Sequence, residues 1–444
     1  MREEPWNMSN YLVRGGARLT GSVAAQGSKN AALPILAATL LVKEPVRLLN
    51  CPRLRDVGNM LHILTSLGCT VYREGNDLIV DSGTANSFVL PTALSRELRS
   101  SIFLLGSVLS RFSEADAPYP GGCEIGNRPI DLHLSGLKRL NAEIVERGGR
   151  IRCFGSHLFG AVVDFEYPSV GATENIMLAA CRASGETVIR NAACEPEIVD
   201  LQGFLCACGF RVSGAGTPTV RIEGVPEGHG TTYRIMPDRI VTGTYLIGAA
   251  ITRGDVEVTG TRPDTVDALL SKLSACGCAV TREKQAVRVV AKSRLRGIEF
   301  TETRPYPGFP TDLQPQLFSL LSVAEGTSVL VENVFENRFK HAQELKKMGA
   351  QNRIMDRTAI LSGVERLHGA TVTAHDLRGG AALVLAGLSA EGDTVIEHAE
   401  RIERGYEQMD LAIGALGGTV ARKEQRIGKE EQTLRARTER LSVR

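Results

Sequence analysis

The chain lacks the features that would send it to a membrane or to secretion. No apolar run is long enough to span a bilayer. The segment MREEPWNMSNYLVRGG has neither the basic stretch nor the apolar core of a signal peptide. The 10 cysteines among 444 residues show no disulfide-framework spacing. We therefore predict a cytoplasmic protein with reduced thiols and no membrane span.

The sequence also has little net charge and no clear metal motif. A formal charge of +2 argues against nucleic acid as a partner, although a local basic pocket for a small phosphorylated substrate stays open. Cys206-Ala-Cys208 and Cys276-Gly-Cys278 lack the C-x2-C spacing typical of zinc knuckles. We predict no metal site and no cofactor.

Repetition is the strongest pattern in the chain. An apolar helix closed by a glycine recurs in GATENIMLAACRASGETVI, DRIVTGTYLIGAAITRGDVEV, TDLQPQLFSLLSVAEGTSVL and LRGGAALVLAGLSAEGDTVI. Looser copies are SKNAALPILAATLLVKEPVRL and RELRSSIFLLGSVLSRF. The closing glycines recur about every 70 residues, at Gly185, Gly254, Gly326 and Gly392. A second helix follows in the unit and ends where a helix C′ glycine belongs, at Gly68, Gly209, Gly277, Gly349 and Gly417, whereas the copy near Leu137–Val145 is degenerate.

These repeats predict an α/β fold of six copies of one βαβαββ-type unit. The first helix of each unit is apolar nearly all round and should be buried on every side, whereas the second is amphipathic. Strands that alternate, as in GDVEVTG, suit sheets with one wet face. Helices should therefore lie inside and sheets outside. We expect one domain over 30–236, a second over 1–29 with 237–421, and a charged tail over 422–444.

The segment PGGCEIGNRPIDLHL is the first candidate for chemistry. Pro-Gly-Gly places Cys123 at or near a loop tip, and a loop thiol beside basic groups can be reactive. Arg128, Asp131 and His133 follow within ten residues. The alternative is a surface loop with an incidental thiol.

Basic residues recur at the starts of the apolar helices. Lys29 and Asn30 open the first helix, where backbone N–H groups and a lysine can bind an anion. Equivalent ends of a repeat protein can converge, so a second set of cations could share one cleft: Arg99, Arg239, Arg338, Arg378 and Arg404. Asp312 and Asp56 also lie at helix starts. Either carboxylate could act as a base or merely stabilise a helix dipole.

In ten short segments the chain resembles the UDP-N-acetylglucosamine 1-carboxyvinyltransferases, a family of enolpyruvyl transferases. The resemblance covers about 11–421 and is carried by GSKNAALPI, PRLRDV, PGGCEIGNRPIDLH, PSVGATENIM, EPEIVD, PDRIVTGT, FPTDLQPQ, VFENRF, DLRGG and IERGYE. It implies two inside-out α/β barrel domains of three units each, with the active site between them. It also implies transfer of the enolpyruvyl group of phosphoenolpyruvate to the 3-hydroxyl of UDP-N-acetylglucosamine, the first committed step of peptidoglycan synthesis.

The resemblance further implies roles for individual residues. Cys123 matches the family's proton donor and the expected target of the epoxide fosfomycin, and Asp312 matches the usual candidate base. The implied catalytic and phosphoenolpyruvate-binding groups are Lys29, Asn30, Arg128 and Arg404. The implied nucleotide-sugar contacts are Arg99, Arg128, Pro129, Ile130, Asp131, Leu132, Ser169, Val170, Asp312 and Val334.

Several positions depart from the family pattern. Tyr167 stands where some members have a lysine, Val241 where some have an acid after the Asp-Arg pair, and Arg55 where some have a lysine, and two glycines follow the arginine in DLRGGAA. Tyr167, Val241 and the basic tail leave room for a relative that binds nucleotide sugar without turnover. The sister family, which transfers enolpyruvate in the shikimate pathway, shares the fold but is not expected to carry the cysteine loop.

Overall fold

The computed structural model describes residues 9–121 and 130–424. Cys123, Arg128 and Pro129 lie outside the described residues, as does the chain after Glu424. The strands are β1 (Ser9–Arg14), β2 (Thr20–Ala24), β3 (Val46–Leu49), β4 (Thr70–Glu74), β5 (Asp77–Asp81), β6 (Glu114–Pro118), β7 (Glu143–Arg147), β8 (Arg150–Phe154), β9 (Val162–Asp164), β10 (Glu186–Arg190), β11 (Arg211–Ser213), β12 (Thr219–Glu223), β13 (Thr232–Arg234), β14 (Asp255–Thr259), β15 (Ala279–Arg282), β16 (Ala286–Val290), β17 (Phe300–Glu302), β18 (Thr327–Val331), β19 (Gln351–Met355), β20 (Thr358–Ser362), β21 (Thr371–Thr373), β22 (Asp393–Glu397) and β23 (Thr419–Glu424).

The helices alternate with these strands. They are α1 (Lys29–Ala38), α2 (Arg55–Ser66), α3 (Thr92–Glu97), α4 (Leu104–Phe112), α5 (Asp131–Arg139), α6 (Val170–Ala180), α7 (Pro196–Ala207), α8 (Arg239–Ile251), α9 (Asp267–Cys276), α10 (Gln314–Leu321), α11 (Lys340–Lys347), α12 (Leu377–Ser389) and α13 (Met409–Ala415). Short 3-10 helices span Thr39–Leu41, Arg99–Phe103, Pro263–Val266, Thr311–Leu313 and Ala399–Arg404.

Six sheets enclose buried helices, as the repeats predicted. In the described residues five sheets have four strands and one has three. Each four-stranded sheet joins one parallel pair to two antiparallel pairs, as in the order β11-β12-β10-β9. The three-stranded sheet, β6-β8-β7, replaces its parallel strand with a single bridge between Val89 and Asp116. The degenerate copy therefore keeps the shared topology with one strand reduced to a bridge.

The central helices are apolar all round because they have no solvent face. Every residue of α8 is buried, and α4 packs on α6 as α10 packs on α12. The glycines predicted to end the second helices have φ between 85° and 103°, a region that favours glycine: Gly68, Gly209, Gly277, Gly349 and Gly417. Among the glycines that close the first helices, Gly185, Gly326 and Gly392 also have positive φ. Gly254 differs, because Arg253 takes the positive φ and a Cβ on Gly254 would lie 2.1 Å from the Leu19 carbonyl oxygen.

Two hydrophobic clusters divide the core. One runs from Ala31 to Met236, and the other joins Tyr11, Val13 and Leu19 to residues 240–416. β1 pairs with β22 and β23, and β2 pairs with β14, so the N-terminal strands complete sheets of the second cluster. The division into domains 30–236 and 1–29 with 237–421 stays a prediction. β23 runs on to Glu424, so it includes the first three residues of the predicted tail.

The chain crosses between the two clusters twice, at one place. Gly27 bridges Pro237, and a Cβ on Gly27 would lie 1.8 Å from the Asn50 carbonyl oxygen, so the crossing requires glycine. Ser28 caps α1, and Asp238 caps α8 while also accepting the backbone N–H of Lys29 at 3.1 Å. The first turns of α1 and α8 are therefore fixed side by side.

In the described part of the chain, no helix combines the length and apolar character needed to cross a membrane. The cysteines described there are free thiols, and no group of three His, Cys, Asp or Glu residues in 9–121 and 130–424 could hold a metal ion.

Glu174 provides a pH test of this core. It lies buried within α6, and neither carboxylate oxygen has a hydrogen-bond partner. Burial, with Glu197 and Glu195 nearby, raises its pKa well above 4.5. The folded state thus prefers the protonated form, so this contribution to stability is complete at low pH and is lost as pH rises from 4.5 toward the folded-state pKa.

We expect Glu174→Gln to reduce the fall in melting temperature between pH 5 and pH 8, because the amide cannot ionise. Scanning calorimetry at both pH values measures the difference. Exposed Glu186→Gln is the control and should keep the wild-type slope. Equal slopes for wild type and Glu174→Gln would contradict the assignment.

Candidate active site

Two cations from different parts of the chain share one buried carboxylate. Asp56, in the first turn of α2, is 3% exposed. Its Oδ2 accepts from Lys29 Nζ at 3.3 Å, and its Oδ1 accepts from Arg404 Nε at 2.8 Å. A second guanidinium nitrogen of Arg404 lies 3.4 Å from Oδ2. Because Lys29 and Asp56 adjoin the first cluster and Arg404 the second, the three groups bridge the halves.

Burial and charge oppose each other in this triad. Burial lowers the pKa of Lys29, and Asp56 works against that shift while Arg378 and Arg404 add to it. Burial also disfavours the charged form of Asp56, but Lys29 and Arg404 outweigh it and hold the Asp56 pKa below its ordinary value. The triad therefore keeps a buried carboxylate ionised beside two cations.

A second carboxylate, Asp312, lies in the 3-10 turn that precedes α10. Its Oδ1 accepts from Arg338 at 2.9 Å and its Oδ2 from Arg378 at 3.2 Å. Both guanidinium side chains are nearly fully buried, at 2% and 3% exposure. Asp312 and Arg378 are close enough to Lys29 to influence its pKa. The two ion clusters are thus within electrostatic range of each other, and we call them together the charged surface: Lys29, Asp56, Arg404, Asp312, Arg338 and Arg378.

Glu332 connects the Asp312 turn to the segment that carries Val334. It is fully buried, and its Oε1 accepts from the Thr303 hydroxyl and the Val334 N–H at 2.9 Å, and from the Phe335 N–H at 3.1 Å. Its Oε2 accepts from the Thr311 hydroxyl at 2.9 Å. One carboxylate therefore fixes two backbone segments that border the same charged surface.

Another set of polar contacts lies where α7 meets the second hydrophobic cluster. Arg239 Nε donates to Glu197 Oε1 at 3.0 Å, and its guanidinium lies 5.7 Å from the centre of the Tyr306 ring. The Tyr306 N–H donates to Glu195 Oε1 at 3.2 Å. Burial, with Glu195 and Glu332, raises the pKa of Tyr167. Tyr167 therefore borders the same set of contacts, half-exposed.

The N-terminus of α6 faces the start of α5. Ser169 caps α6 by accepting the Ala172 N–H at 3.3 Å. A Cβ on Gly171 would lie 3.2 Å from the His133 ring, and burial with Arg99 lowers the His133 pKa to about 3. Arg99 donates to the Gly121 carbonyl at 3.3 Å, at the edge of the described residues. Three segments predicted to contact the nucleotide sugar therefore adjoin each other: the one at Arg99, the start of α5 and the N-terminus of α6.

The comparisons with known proteins decide the family. The sequence model for EPSP synthase (3-phosphoshikimate 1-carboxyvinyltransferase) matches residues 13–410. A protein of Caldanaerobacter subterraneus named UDP-N-acetylglucosamine 1-carboxyvinyltransferase 2 is 50% identical over 94% of this chain and 100% of its own. One of Carboxydothermus hydrogenoformans, named UDP-N-acetylglucosamine 1-carboxyvinyltransferase 1, is 48% identical over 94% and 98%. This chain belongs to the UDP-N-acetylglucosamine 1-carboxyvinyltransferase family.

Solved structures place the fold of this family member among enolpyruvyl transferases. The enolpyruvyl transferase NikO of Streptomyces tendae matches with a TM-score of 0.85 at 23% identity, over 95% of this chain and 100% of that one. EPSP synthase of Acinetobacter baumannii matches with a TM-score of 0.72 at 19% identity, over 94% and 100%. At such identities the likeness concerns the fold alone.

The described residues bring the predicted site together in part. Lys29, Arg404 and Asp312 lie on one charged surface, with Asn30 beside Lys29 in α1. Ile130, Asp131 and Leu132 lead into α5, while Arg99, Ser169 and Val170 border the α5–α6 junction and Val334 is held near Asp312 by Glu332. Cys123, Arg128 and Pro129 remain predictions outside the described residues.

Sequence reasoning missed Glu332 and did not place Asp56 in the site. Nothing in VENVFEN separates a buried acid from a surface one, although its position at the end of β18 is a signal once the repeat is aligned. Arg338 and Arg378 were noted only as possible convergent cations. That both donate to Asp312 can be seen only in the folded structure, because the three residues are distant in sequence.

We expect Glu332→Ala to lower stability by about 3 kcal/mol or more, because four donors lose their acceptor. Chemical denaturation followed by circular dichroism measures the loss. Glu336→Ala, which removes an exposed partner of Arg357, should change stability by less than about 0.5 kcal/mol. Similar stabilities for the two variants would contradict the role of Glu332.

Proposed function

We propose that the protein transfers the enolpyruvyl group of phosphoenolpyruvate to the 3-hydroxyl of UDP-N-acetylglucosamine and releases phosphate. This is the first committed step of peptidoglycan synthesis. The observation that carries the proposal is the 50% identity, over nearly the whole chain, to a relative named for this reaction. A cytoplasmic location, predicted from the absence of a disulfide framework, is part of the proposal.

The charged surface suits phosphoenolpyruvate. We assign Lys29 and Arg404 to its phosphate and carboxylate, with Asn30 beside them and Arg128 as a further cation. Four described cations surround two carboxylates: Lys29, Arg338, Arg378 and Arg404 against Asp56 and Asp312. The surplus is positive, and a guanidinium fork matches the geometry of phosphate or carboxylate oxygens.

Asp312 is assigned as the base that takes the proton of the sugar 3-hydroxyl. Each of its oxygens accepts a guanidinium N–H. A carboxylate can accept several hydrogen bonds, so Asp312 can accept the hydroxyl proton in addition. The two arginines hold the carboxylate in one orientation, which is the condition for efficient general base catalysis.

The reaction then proceeds by addition and elimination. The sugar oxygen bonds to C2 of phosphoenolpyruvate while C3 takes a proton, for which we assign Cys123 as donor. The resulting tetrahedral adduct loses phosphate from C2 and a proton from C3, which restores the double bond and leaves the enol ether. A free thiol titrates near ~8.5, so it can hold this proton at neutral pH.

The acceptor is assigned to the segments around the α5–α6 junction. We propose nucleotide-sugar contacts from Arg99, the run Arg128, Pro129, Ile130, Asp131 and Leu132, the cap of α6 at Ser169 and Val170, and from Asp312 and Val334. The N-terminus of α6 provides backbone N–H groups and a positive dipole end, which suit a diphosphate. Tyr167, at the same margin, supplies a phenol without positive charge.

We expect the purified protein to release phosphate from phosphoenolpyruvate only when UDP-N-acetylglucosamine is present. A colorimetric phosphate assay with each acceptor in turn measures this, and shikimate 3-phosphate is the matched control. If phosphate is released only with shikimate 3-phosphate, the protein has the activity of the sister family instead. Binding of UDP-N-acetylglucosamine without any release at high enzyme concentration would leave a non-catalytic binder.

We expect Asp312→Asn to lower kcat by about 10²–10⁴, because an amide cannot take the hydroxyl proton. Steady-state kinetics with varied UDP-N-acetylglucosamine measures the loss, and circular dichroism verifies the fold. The control is Asp255→Asn, which removes a surface carboxylate that pairs with Arg288. A variant that retains wild-type kcat would exclude Asp312 as the base.

A further inference from the structure

Asp56 has no part in the function proposed above, yet it contacts both cations assigned to phosphoenolpyruvate. Its carboxylate is buried, and its two oxygens accept from Lys29 and Arg404 at 3.3 and 2.8 Å. The Arg404 distance is that of a charge-assisted hydrogen bond to a carboxylate or phosphate oxygen, and the Lys29 distance is longer. Asp56 therefore already provides the two cations with an anionic partner.

Asp56 also lies at the boundary between the two hydrophobic clusters. Arg404 reaches Asp56 across the boundary between the two hydrophobic clusters, and the Arg53 N–H crosses the same boundary to Glu407 Oε2 at 3.1 Å. Lys29 belongs to the crossing segment itself. The carboxylate thus fixes where the two cations lie relative to each other before any substrate binds.

We propose that Asp56 is the internal counter-anion of the phosphoenolpyruvate site: it positions Lys29 and Arg404 and, by its charge, reduces their affinity for phosphoenolpyruvate and for phosphate. This inference rests on the proposed function. Asp56 is a positioning residue, since it acts through the cations. Without it the cations would repel each other and would bind an incoming anion more tightly.

The physical consequence concerns product release. Phosphate is a product of the proposed reaction, and a site that retained it strongly would turn over slowly. A fixed negative charge beside the cations weakens the binding of every anion, and it does so without removing the hydrogen-bond donors that orient phosphoenolpyruvate. Asp56 therefore lowers the affinity of the site for phosphoenolpyruvate and phosphate, and in return the anions dissociate faster.

The test measures the binding of inorganic phosphate to the full chain by isothermal titration calorimetry. We expect Asp56→Asn to bind phosphate about tenfold more tightly than the wild type, because one negative charge is removed next to two cations. The control is Asp255→Asn. Asp255 lies outside the site, and its two oxygens accept from two Arg288 nitrogens at 2.7 Å. Removing this carboxylate should leave phosphate binding unchanged. Equal or weaker phosphate binding by Asp56→Asn would overturn the proposal.

Two further variants separate charge from shape. Asp56→Ser also removes the charge and should tighten phosphate binding, whereas Asp56→Glu keeps the charge and should bind phosphate within about threefold of the wild type. If Asp56→Asn does not fold, Asp56→Ser decides between the outcomes. Tight phosphate binding by Asp56→Glu as well would assign the effect to altered geometry and reject the counter-anion.

The binding measurement is independent of turnover. Acceptor-dependent phosphate release by the wild type tests the proposed function, and calorimetry of the variants tests Asp56. A wild type without turnover would therefore leave the calorimetric result intact. For an active wild type, phosphate should also become a stronger inhibitor against phosphoenolpyruvate in Asp56→Asn.

Discussion

The ion pairs of Asp56 with Lys29 and Arg404 depend on one constraint, the double crossing of the chain at Gly27 and Pro237. The crossing brings the first turns of α1 and α8 together, and Asp238 bonds to both of them. Arg404 of one half meets the Asp56 carboxylate of the other close to this junction. A buried unpaired charge is costly, so the opposite partners also favour apposition of the halves.

The repeat explains why the charged groups converge. Each central helix, or the 3-10 turn before it, has a residue of the candidate site at its N-cap or at its first or second position: Lys29, Arg99, Ser169, Arg239, Asp312 and Arg378. Helix N-termini carry positive partial charge and unpaired N–H groups, so six such ends form an environment that favours anions. The fold thus supplies part of the electrostatics, and the side chains add to it.

Sequence patterns predict the repeated unit, but they do not predict which side chains pair with each other. Apolar helices and C′ glycines are local signals, and the structure has them where the pattern predicts. The reduction of one strand to the Val89–Asp116 bridge is not local, because neighbouring strands decide it. Likewise Asp56 and Glu332 resemble any acid in a first turn or at a strand end. Their roles follow from segments that are distant in sequence, as in the 348-residue separation of Asp56 and Arg404.

The fold does not by itself decide the acceptor. NikO and EPSP synthase share this architecture at 23% and 19% identity, so the six sheets and their central helices are compatible with diverging sequences. In the proposed site, we expect the distinction between acceptors to lie in two segments that border the cations: the α5–α6 junction and the turn held by Glu332. Because Glu332 has no exposed surface, any effect of it on the proposed acceptor site passes through the backbone segments that it holds. The proposed acceptor contacts at this turn therefore depend on buried hydrogen bonds, whereas the proposal for Asp56 concerns the phosphoenolpyruvate cations.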